Sequence, residues 1–234
     1  MQYKFQAIFC IIMKENWLFF DDKAHPPQEN MDIDADLLKN ASTQKGMPLL
    51  RFYDWDRLSV SIGYVQKEEI VPDREKYTVV KRPTGGGVVY HDRDFTYTVV
   101  VPAEHWITKL DRVESYRVFH KAVVRAFATF GLKGLLVDTE QPKTDRATMQ
   151  CFITPTKYDV LCELRNGKTA KFAGSAQRRT KNGILHQGSI ILKATQGNRK
   201  KLAKALKKAF EEEFNIEWVP SSELRIFTEG NEGN

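Results

Sequence analysis

The sequence predicts an α+β fold in which strands outnumber helices. Seven runs of β-branched, aromatic or alternating residues have the length and the flanking turn residues of strands. Three longer segments carry apolar residues at helical spacing. A chain of 234 residues can bury one good core, so we expect a single domain over residues 14–234.

Residues 1–13 are predicted to be an N-terminal extension of this domain. Their apolar stretch is short, contains Gln6, and is followed by Lys14 and Glu15 rather than by the small residues of a signal-peptide cleavage site. The segment is either upstream of a true start at Met13, which we favour, or an edge strand. No apolar run approaches the roughly 18 residues that a membrane-spanning helix needs.

The first half of the chain predicts one helix and four strands. The helix is expected from Asn30, with Met31, Ala35 and Leu38 on its buried face, and it stops at the Gly46-Met47-Pro48 turn. Acidic residues crowd its first turns, where the helix dipole favours negative charge. The strands are predicted at residues 49–53, 58–63, 77–80 and 95–101.

The second half predicts two more helices and three strands. The helix over residues 113–130 has an apolar stripe that indicates core, and His120 beside that stripe is assigned no chemistry. Strands are expected at 158–164, 169–173 and 184–192, with Asn166-Gly167 as a hairpin turn. The last helix covers 198–214, and its basic residues are read as an exposed face: Arg199, Lys200, Lys201, Lys204, Lys207 and Lys208.

A glycine-rich loop lies between the third and fourth predicted strands. Gly85, Gly86 and Gly87 are consecutive, and such a run indicates either positive φ or close approach of the backbone to a ligand. With Arg82 at its entrance, the loop can present N–H groups and one cation to a carboxyl, acyl or phosphate oxygen. The alternative is an ordinary hairpin turn.

One cysteine and one lysine are candidates for acyl-transfer chemistry. Cys151 follows a polar loop, where a thiol can face a cleft, and Lys171 precedes a run of small residues. An ammonium group stabilises a thiolate and can also hold a carbonyl oxygen on which negative charge develops. The alternative is that Cys151 is a small buried hydrophobe, as we expect for Cys162 inside its alternating strand.

The charge balance and the cysteine content indicate the kind of partner and the cellular compartment. Lys and Arg exceed Asp and Glu by 36 to 30, and the resulting charge of +6 predicts an acidic partner. The three cysteines form no metal-binding pair and no disulfide framework, which favours reduced thiols and a cytoplasmic location.

Five separated segments together resemble the lipoate-protein ligase A and octanoyltransferase superfamily, whose catalytic domain is related to biotin protein ligases. They are residues 30–38, 50–66, 81–92, 171–179 and 184–190. Their order and spacing match that superfamily from about residue 16 to residue 218. The resemblance implies a mixed, largely antiparallel β-sheet flanked by helices, of the biotin/lipoate protein ligase catalytic-domain type.

Two chemistries occur in this superfamily. Ligases activate lipoate or octanoate with ATP and Mg²⁺, whereas the cysteine-dependent octanoyltransferases take octanoate from acyl carrier protein without a cofactor. The segment beginning at Cys151 resembles the cysteine-bearing segment of the transferase branch, and Tyr158-Asp159 stands where ligases have an Asn-Asp pair. Gly87 is more typical of the ligases. The transferase is preferred and the ligase is the alternative; a catalytically silent module that binds carrier domains through the last helix is a second alternative.

The resemblance also assigns residues to the site. Cys151 would be the nucleophile and Lys171 the group that contacts the acyl carbonyl. Substrate-binding residues would be Arg82, Gly85, Gly86, Gly87, Val88, His91, Gly174, Ser175, Ala176, His186 and Gly188. The expected partners are acyl carrier protein and lipoyl domains of 2-oxoacid dehydrogenases or glycine-cleavage H protein. No metal, nucleic acid or membrane is expected, and the enzyme is expected to be a monomer.

Overall fold

The computed structural model describes residues 13–43, 46–138, 155–164, 166–195 and 197–219. These residues contain eleven strands and three α-helices. In chain order they are β1 (Glu15–His25), α1 (Pro27–Lys39), β2 (Leu49–Trp55), β3 (Ser59–Ile62), β4 (Thr78–Lys81), β5 (Val89–His91), β6 (Asp94–Pro102), α2 (Arg112–Ala128), β7 (Gly134–Leu136), β8 (Val160–Glu163), β9 (Thr169–Thr180), β10 (Gly183–Ile191), α3 (Arg199–Phe214) and β11 (Ile216–Val219).

Eight strands form one mixed sheet in the order β11-β1-β2-β6-β10-β9-β8-β7. β1 is parallel to both β11 and β2, and the other neighbouring pairs are antiparallel. The predicted α+β class, with a mixed and largely antiparallel sheet flanked by helices, is confirmed. None of the helices in the described ranges is long and apolar enough to cross a membrane.

Side-chain alternation along the strands divides the sheet into two faces. Tyr97 and Val99 of β6 point into the main core, which also contains the apolar sides of α2 and α3. Val100 points the other way and packs in a second cluster with Leu37 and Leu38 of α1. Helices α2 and α3 therefore cover one face of the large sheet, and α1 covers part of the other.

A second sheet lies on the same side as α1. Its strand order is β4-β3-β5, with β3 parallel to β4 and antiparallel to β5. Helix α1 packs against β4, and Met31 of α1 joins a small cluster with Tyr53 and Val80. The small sheet is thus held over the open face of the large one. The candidate site lies between the two sheets.

Helix α1 begins and ends earlier than the sequence predicts. It starts at Pro27 rather than Asn30, because proline at the first helical position has a suitable φ and has no N–H to leave unpaired. It ends at Lys39, well before Gly46. Its buried face contains Asp34 with Met31, Leu37 and Leu38, whereas Ala35, predicted to be buried, is exposed.

Four strands were not predicted, namely β1, β5, β7 and β11. β5 and β7 have three residues each, too few to show a period. β1 carries charged residues in its second half, where a register shift between Asp21 and Ala24 interrupts its pairing with β2. β9 extends to Thr180 because it pairs with β10 along its whole polar half, which the composition of that half does not indicate.

The basic face of α3 is smaller than expected. The Arg199 Nε atom lies 2.6 Å from a carboxylate oxygen of Asp54, and the Lys207 Nζ atom lies 4.0 Å from the centre of the Phe19 ring. The exposed cations are therefore Lys200, Lys201, Lys204 and Lys208. This face is on the opposite side of the large sheet from the space between the sheets.

Candidate functional site

Arg82 links the glycine loop to Ser61 of β3 through hydrogen bonds. Its Nη1 donates to the Ser61 carbonyl and hydroxyl oxygens at 2.7 and 2.8 Å, and its Nη2 donates to the carbonyl oxygens of Gly85 and Gly87 at 2.9 and 2.7 Å. Both terminal nitrogens of Arg82 therefore bind the protein, and its role in substrate binding stays a prediction. Arg82 fixes the loop while remaining part of a cavity wall.

Two glycines allow the loop to pack against the turn after β3. A Cβ atom on Gly63 would collide with the Gly86 carbonyl oxygen, and Gly86 itself has a φ of +88°. The backbone N–H of Tyr64 donates to the Thr84 carbonyl at 3.1 Å. The close approach of backbone that the glycine run predicts is thus observed, and at Gly63 and Gly86 it is made by the protein itself.

Gln187 links the glycine loop to α1 through hydrogen bonds. Thr84 donates its hydroxyl hydrogen to Gln187 Oε1 at 2.6 Å, and Gln187 Nε2 donates to Asp34 Oδ2 at 2.7 Å. Asp34 also pairs with the buried Arg51, whose Nη1 lies 2.8 Å from its Oδ1. This explains why an acidic residue occupies the buried face of α1. It also anchors the start of the loop, at Thr84, to a charged network inside the protein.

An inner cavity of about 350 Å³ lies between the two sheets. Its residues come from α1, the small sheet and the large sheet: Met31, Tyr53, Trp55, Ser61, Arg82, Val89, His91, Thr96, Gly174, Ser175, Ala176, Gln187, Gly188 and Ser189. Arg82 and His91 lie on one wall, and the 174–176 segment lies on the other.

The polar groups of the inner cavity are bonded to one another. His91 is joined to Asp94 through Nδ1 at 2.8 Å and to the Ser61 hydroxyl through Nε2 at 2.6 Å. Ser189 donates to the same Asp94 oxygen at 2.6 Å, and the Trp55 ring stacks on His91 with centroids 4.0 Å apart. Because these hydrogen bonds satisfy the polar atoms, the wall can present largely apolar surface to a ligand.

An outer cavity of about 1110 Å³, partly open to solvent, adjoins the inner one at Ser175 and Ala176. The glycine loop and the first turn of α2 border it, and its residues are Tyr64, Gly85, Gly86, Gly87, Arg112, Val113, Tyr116, Thr156, Lys157, Lys171, Ser175, Ala176 and Gln177. The two cavities are neighbours, and the outer one is the larger and the more polar of the two.

Lys171 forms a buried ion pair with Asp159 in the wall of the outer cavity. Nζ lies 2.6 Å from Oδ2, and each side chain is 2% exposed. The same carboxylate oxygen accepts hydrogen bonds from the backbone N–H and the hydroxyl of Thr156, at 2.6 and 2.9 Å. This pairing keeps Lys171 as an ammonium ion, a cation fixed at the junction of strand β9 and the turn before β8.

A β-bulge directs Lys171 toward the cavity. Val160 of β8 is opposite Ala173, whereas the next residue, Leu161, is opposite Lys171, so β9 has one extra residue here. The Lys171 side chain then lies across Gly174, where a Cβ atom would be 2.5 Å from Cε and 2.7 Å from Nζ. The glycine is needed to make room for the lysine.

We therefore expect Gly174→Ala to displace the Lys171 ammonium group. Activity should fall by at least tenfold, and the free energy of unfolding should fall by about 1–3 kcal/mol, because the added methyl meets both the Lys171 side chain and Asp159 Oδ1 and disturbs their buried pair. Steady-state kinetics and urea unfolding measure the two effects. Thr169→Ala, an exposed position on the same strand, is the matched control. An active Gly174→Ala enzyme would contradict this assignment of Lys171.

His120 contacts the site through a hydrogen bond with Ser175. Its Nδ1 atom is 2.6 Å from the Tyr158 carbonyl oxygen, and its Nε2 atom is 2.8 Å from the Ser175 hydroxyl oxygen. The ring is completely buried, and burial lowers the pKa of His120 below that of an ordinary imidazole. His120, to which the sequence assigned no chemistry, thus bonds to a residue that lines both cavities.

Other predicted site residues occupy different places. Val88 is buried with Val60 and Ile62 beneath the loop and lines neither cavity. His186 is completely buried, bonded through Nδ1 to Gln177 at 3.0 Å, and burial lowers its pKa strongly; it also lines neither cavity. Its neighbours along β10, Gln187 and Gly188, line the inner one.

The two candidate cysteines differ in what the structure describes. Cys151 lies outside the described residues. Cys162 on β8 is completely buried in the main core, and burial raises the pKa of its thiol to about 11, so it is not a thiolate at neutral pH. Within the described ranges no cluster of three or more His, Cys, Asp or Glu side chains is arranged to hold a metal ion.

The fold and the paired cavities define the class of protein. The chain resembles a bipartite lipoate protein ligase of Thermoplasma acidophilum, solved in a study that includes its E2 lipoyl domain. The TM-score is 0.63 at 20% identity, over 88% of this chain and 86% of that one. This similarity shows a shared ligase-type fold.

The sequence profile of the lipoyl protein ligase A/B catalytic domain matches residues 26–224, and the chain belongs to that family. It is 39% identical to octanoyltransferase LipM of Geobacillus kaustophilus over 76% of this chain and 66% of the relative. It is 34% identical to octanoyltransferase LipM of Halalkalibacterium halodurans over 90% of this chain and 80% of the relative. The chain thus spans about two thirds of the first relative's length. The predicted family is confirmed.

Proposed function

We propose that this protein is an octanoyltransferase that moves octanoate from acyl carrier protein to a lysine of a lipoyl domain, through a thioester on Cys151. The relatives named octanoyltransferase LipM support this function. The observation that carries it is that the Lys171 side chain of the buried Lys171–Asp159 pair lies against Gly174, which lines the inner cavity. This arrangement places a fixed positive charge beside a largely apolar slot.

The inner cavity would hold the hydrocarbon chain of the cargo. Burying a methylene contributes ~0.8 kcal/mol, so an eight-carbon chain gains several kcal/mol in this slot. The small residues Gly174, Ala176 and Gly188 border the slot and leave it wide enough for a chain. The acyl carbonyl would then lie near Ser175, where the inner and outer cavities adjoin.

Lys171 would stabilise the negative charge that develops on the carbonyl oxygen. Its ammonium group is buried and fixed by Asp159 at 2.6 Å, so it needs no reorganisation when the reaction occurs. The backbone of Gly85, Gly86 and Gly87 borders the same space, and its amide groups are candidates for further donors.

In this proposal the Cys151 thiol acts at the outer cavity. Thr156, five residues after Cys151 in the sequence, lines this cavity with Lys157. The thiolate would attack the donor thioester and hold the acyl group until the acceptor amine attacks. A thioester made from a thioester stays activated, so no ATP is required.

We assign the same site to both halves of the reaction. The wide and polar outer cavity, with Arg112 and Lys157 at its border, suits the approach of acidic carrier domains. The acceptors would be lipoyl domains of 2-oxoacid dehydrogenases or glycine-cleavage H protein. The proposed enzyme acts as a monomer in the cytoplasm.

An ATP-dependent lipoate or octanoate ligase is the second candidate. The triple glycine, with Lys157 and Lys171, borders a space of about 1110 Å³. Backbone amides of glycine-rich loops and ammonium groups are suitable ligands for phosphate oxygens. In this reaction Lys171 would contact the acyl-adenylate, and Cys151 would have no role.

A comparison of donors separates the two candidates. The wild-type protein is incubated with apo-lipoyl domain and either octanoyl-carrier protein alone, or octanoate with ATP and Mg²⁺. We expect octanoylation of the domain with the carrier donor and none above background with octanoate and ATP. Transfer that requires ATP would establish the ligase and refute the transferase.

A further inference from the structure

The hydrogen bonds of His120 define its tautomer. A backbone carbonyl only accepts hydrogen bonds, so the 2.6 Å contact with the Tyr158 oxygen places a hydrogen on His120 Nδ1. In the neutral ring, Nε2 then has a free lone pair and accepts the hydroxyl hydrogen of Ser175 at 2.8 Å. Burial keeps the ring neutral by lowering its pKa. Ser175 is thus bonded to a base.

The same short turn orients this dyad and Lys171. Tyr158 has a φ of +67°, which is unusual for a residue with a side chain, and its carbonyl is directed at His120. The next residue, Asp159, holds the Lys171 ammonium group. The turn therefore fixes two groups of different chemical character on one side of the outer cavity, a cation and a neutral base.

The proposed transfer needs a proton acceptor in its second half. When the lysine amine of the lipoyl domain attacks the acyl carbonyl, the new nitrogen–carbon bond leaves positive charge on nitrogen, and a proton must be removed. Lys171 already carries its full complement of protons in the pair with Asp159. Among the described residues that line the outer cavity there is no carboxylate and no imidazole.

We propose that Ser175 and His120 form a proton relay for the attack of the acceptor amine, an inference that rests on the transferase function proposed above. The amine nitrogen bonds to the acyl carbon, and the carbon–sulfur bond breaks to release the Cys151 thiolate. The nitrogen gives its proton to Ser175 Oγ while the Ser175 hydroxyl proton passes to His120 Nε2. His120 then loses this proton through Ser175 to solvent, which replaces the proton taken up by the departing carrier thiolate, so the neutral imidazole and the Cys151 thiolate are both restored.

Several charged and titratable groups surround His120. Asp159 raises its pKa and Lys171 lowers it, with smaller effects than burial. The His186 ring centre is 5.6 Å away and the Tyr116 ring centre is 6.3 Å away. His186 remains neutral because burial lowers its pKa strongly. The pH response of the relay therefore belongs to His120 within this group.

The test measures the two half-reactions separately. Octanoyl-enzyme is formed from octanoyl-carrier protein, isolated, and mixed rapidly with apo-lipoyl domain. His120→Gln is the decisive variant, since an amide oxygen can still accept the Ser175 hydrogen bond but cannot take a proton. Ser175→Ala removes the relay at its first atom and serves if His120→Gln fails to fold. His105→Gln, another buried histidine, bonded to Glu15, is the matched control.

We expect His120→Gln to slow acyl transfer to the domain by ~100-fold or more, as general-base catalysis contributes 10²–10⁴-fold. Acyl-enzyme formation should change by less than about threefold. The wild-type transfer rate should rise with pH as the imidazole becomes neutral, and this dependence should vanish in the variant. Ser175→Ala should behave similarly, and the double variant should be no slower than either single one.

Transfer by His120→Gln at the wild-type rate, with an unchanged pH profile, would show that His120 only positions Ser175 and would overturn the relay. A variant that fails to form acyl-enzyme would also contradict it, since the defect would lie in the wrong half-reaction. Failure of the wild-type protein to form any acyl-enzyme would refute the transferase function itself. These three results are distinguishable from one another.

Discussion

Lys171→Met is expected to reduce octanoyl transfer by ~10²–10³-fold, the cost of removing one preorganised oxyanion donor. It should also lower the free energy of unfolding by about 3–5 kcal/mol, because Asp159 is left as an unpaired buried charge. Both side chains of the pair are 2% exposed, so solvent cannot compensate for the loss. Single-turnover kinetics and urea unfolding measure the two effects.

Two further variants separate the chemistry of Lys171 from its effect on stability. Asp159→Asn combined with Lys171→Met removes both charges and should recover part of the lost stability without recovering activity. Lys168→Met, an exposed position three residues earlier, should leave both quantities unchanged. If the double variant regained transfer activity, Lys171 would be structural, and its assigned contact with the acyl oxygen would be wrong.

Cys151→Ala is expected to abolish transfer from octanoyl-carrier protein, with a loss of at least ~10³-fold, because the proposed mechanism passes the acyl group through the Cys151 thiol. The stability of the fold should change little if the thiol lies at a cavity surface. Steady-state assays with the carrier donor measure the first effect and thermal unfolding measures the second.

Cys162→Ala is the matched control for that variant. Its thiol is buried in the main core, with a pKa raised to about 11, so it cannot serve as a nucleophile at neutral pH. We expect near-wild-type transfer from Cys162→Ala, after correction for any loss of folded protein. An inactive but folded Cys162 variant, or an active Cys151 variant, would reverse the assignment of the nucleophile.

Much of the architecture was predictable, because buried apolar residues recur along the sequence with the period of a strand or of a helix. The seven predicted strands and the three helices are present, and the Asn166-Gly167 turn is found where Gly167 has a φ of +76°. Parallel pairing of β1 with β2 and β11 was not predictable. It joins segments distant in sequence, and their local patterns do not indicate which strand each one meets.

The sequence indicated the glycine segments of the candidate site, but it did not indicate several of its polar residues. Gly85 to Gly87 and the 174–176 segment indicate close packing by their composition alone, and they border the cavities. Asp159, Gln187 and His120 were missed as site residues. Gln187 and His120 act through partners far away in sequence, Thr84 and Ser175, and a single sequence carries no sign of those pairings. Asp159 meets Lys171 across the β8–β9 hairpin, where a β-bulge that the sequence does not reveal changes the register.

Asp34 shows why local rules can mislead. A carboxylate in the first half of a helix is usually assigned to the helix dipole. Here it is completely buried, bonded to Arg51 and to Gln187, and it supports the glycine loop through that amide. From its sequence position, Asp34 was predicted only to interact favourably with the helix dipole. In the structure it holds Gln187, which supports the glycine loop.

The central claim is that Cys151 carries the acyl group, and intact-protein mass spectrometry tests it most directly. The protein is incubated with octanoyl-carrier protein in the absence of ATP, and the modified peptide is then sequenced. We predict one octanoyl group on Cys151, which disappears when apo-lipoyl domain is added. An unmodified protein that instead releases octanoyl-adenylate once ATP and Mg²⁺ are supplied would contradict the covalent route.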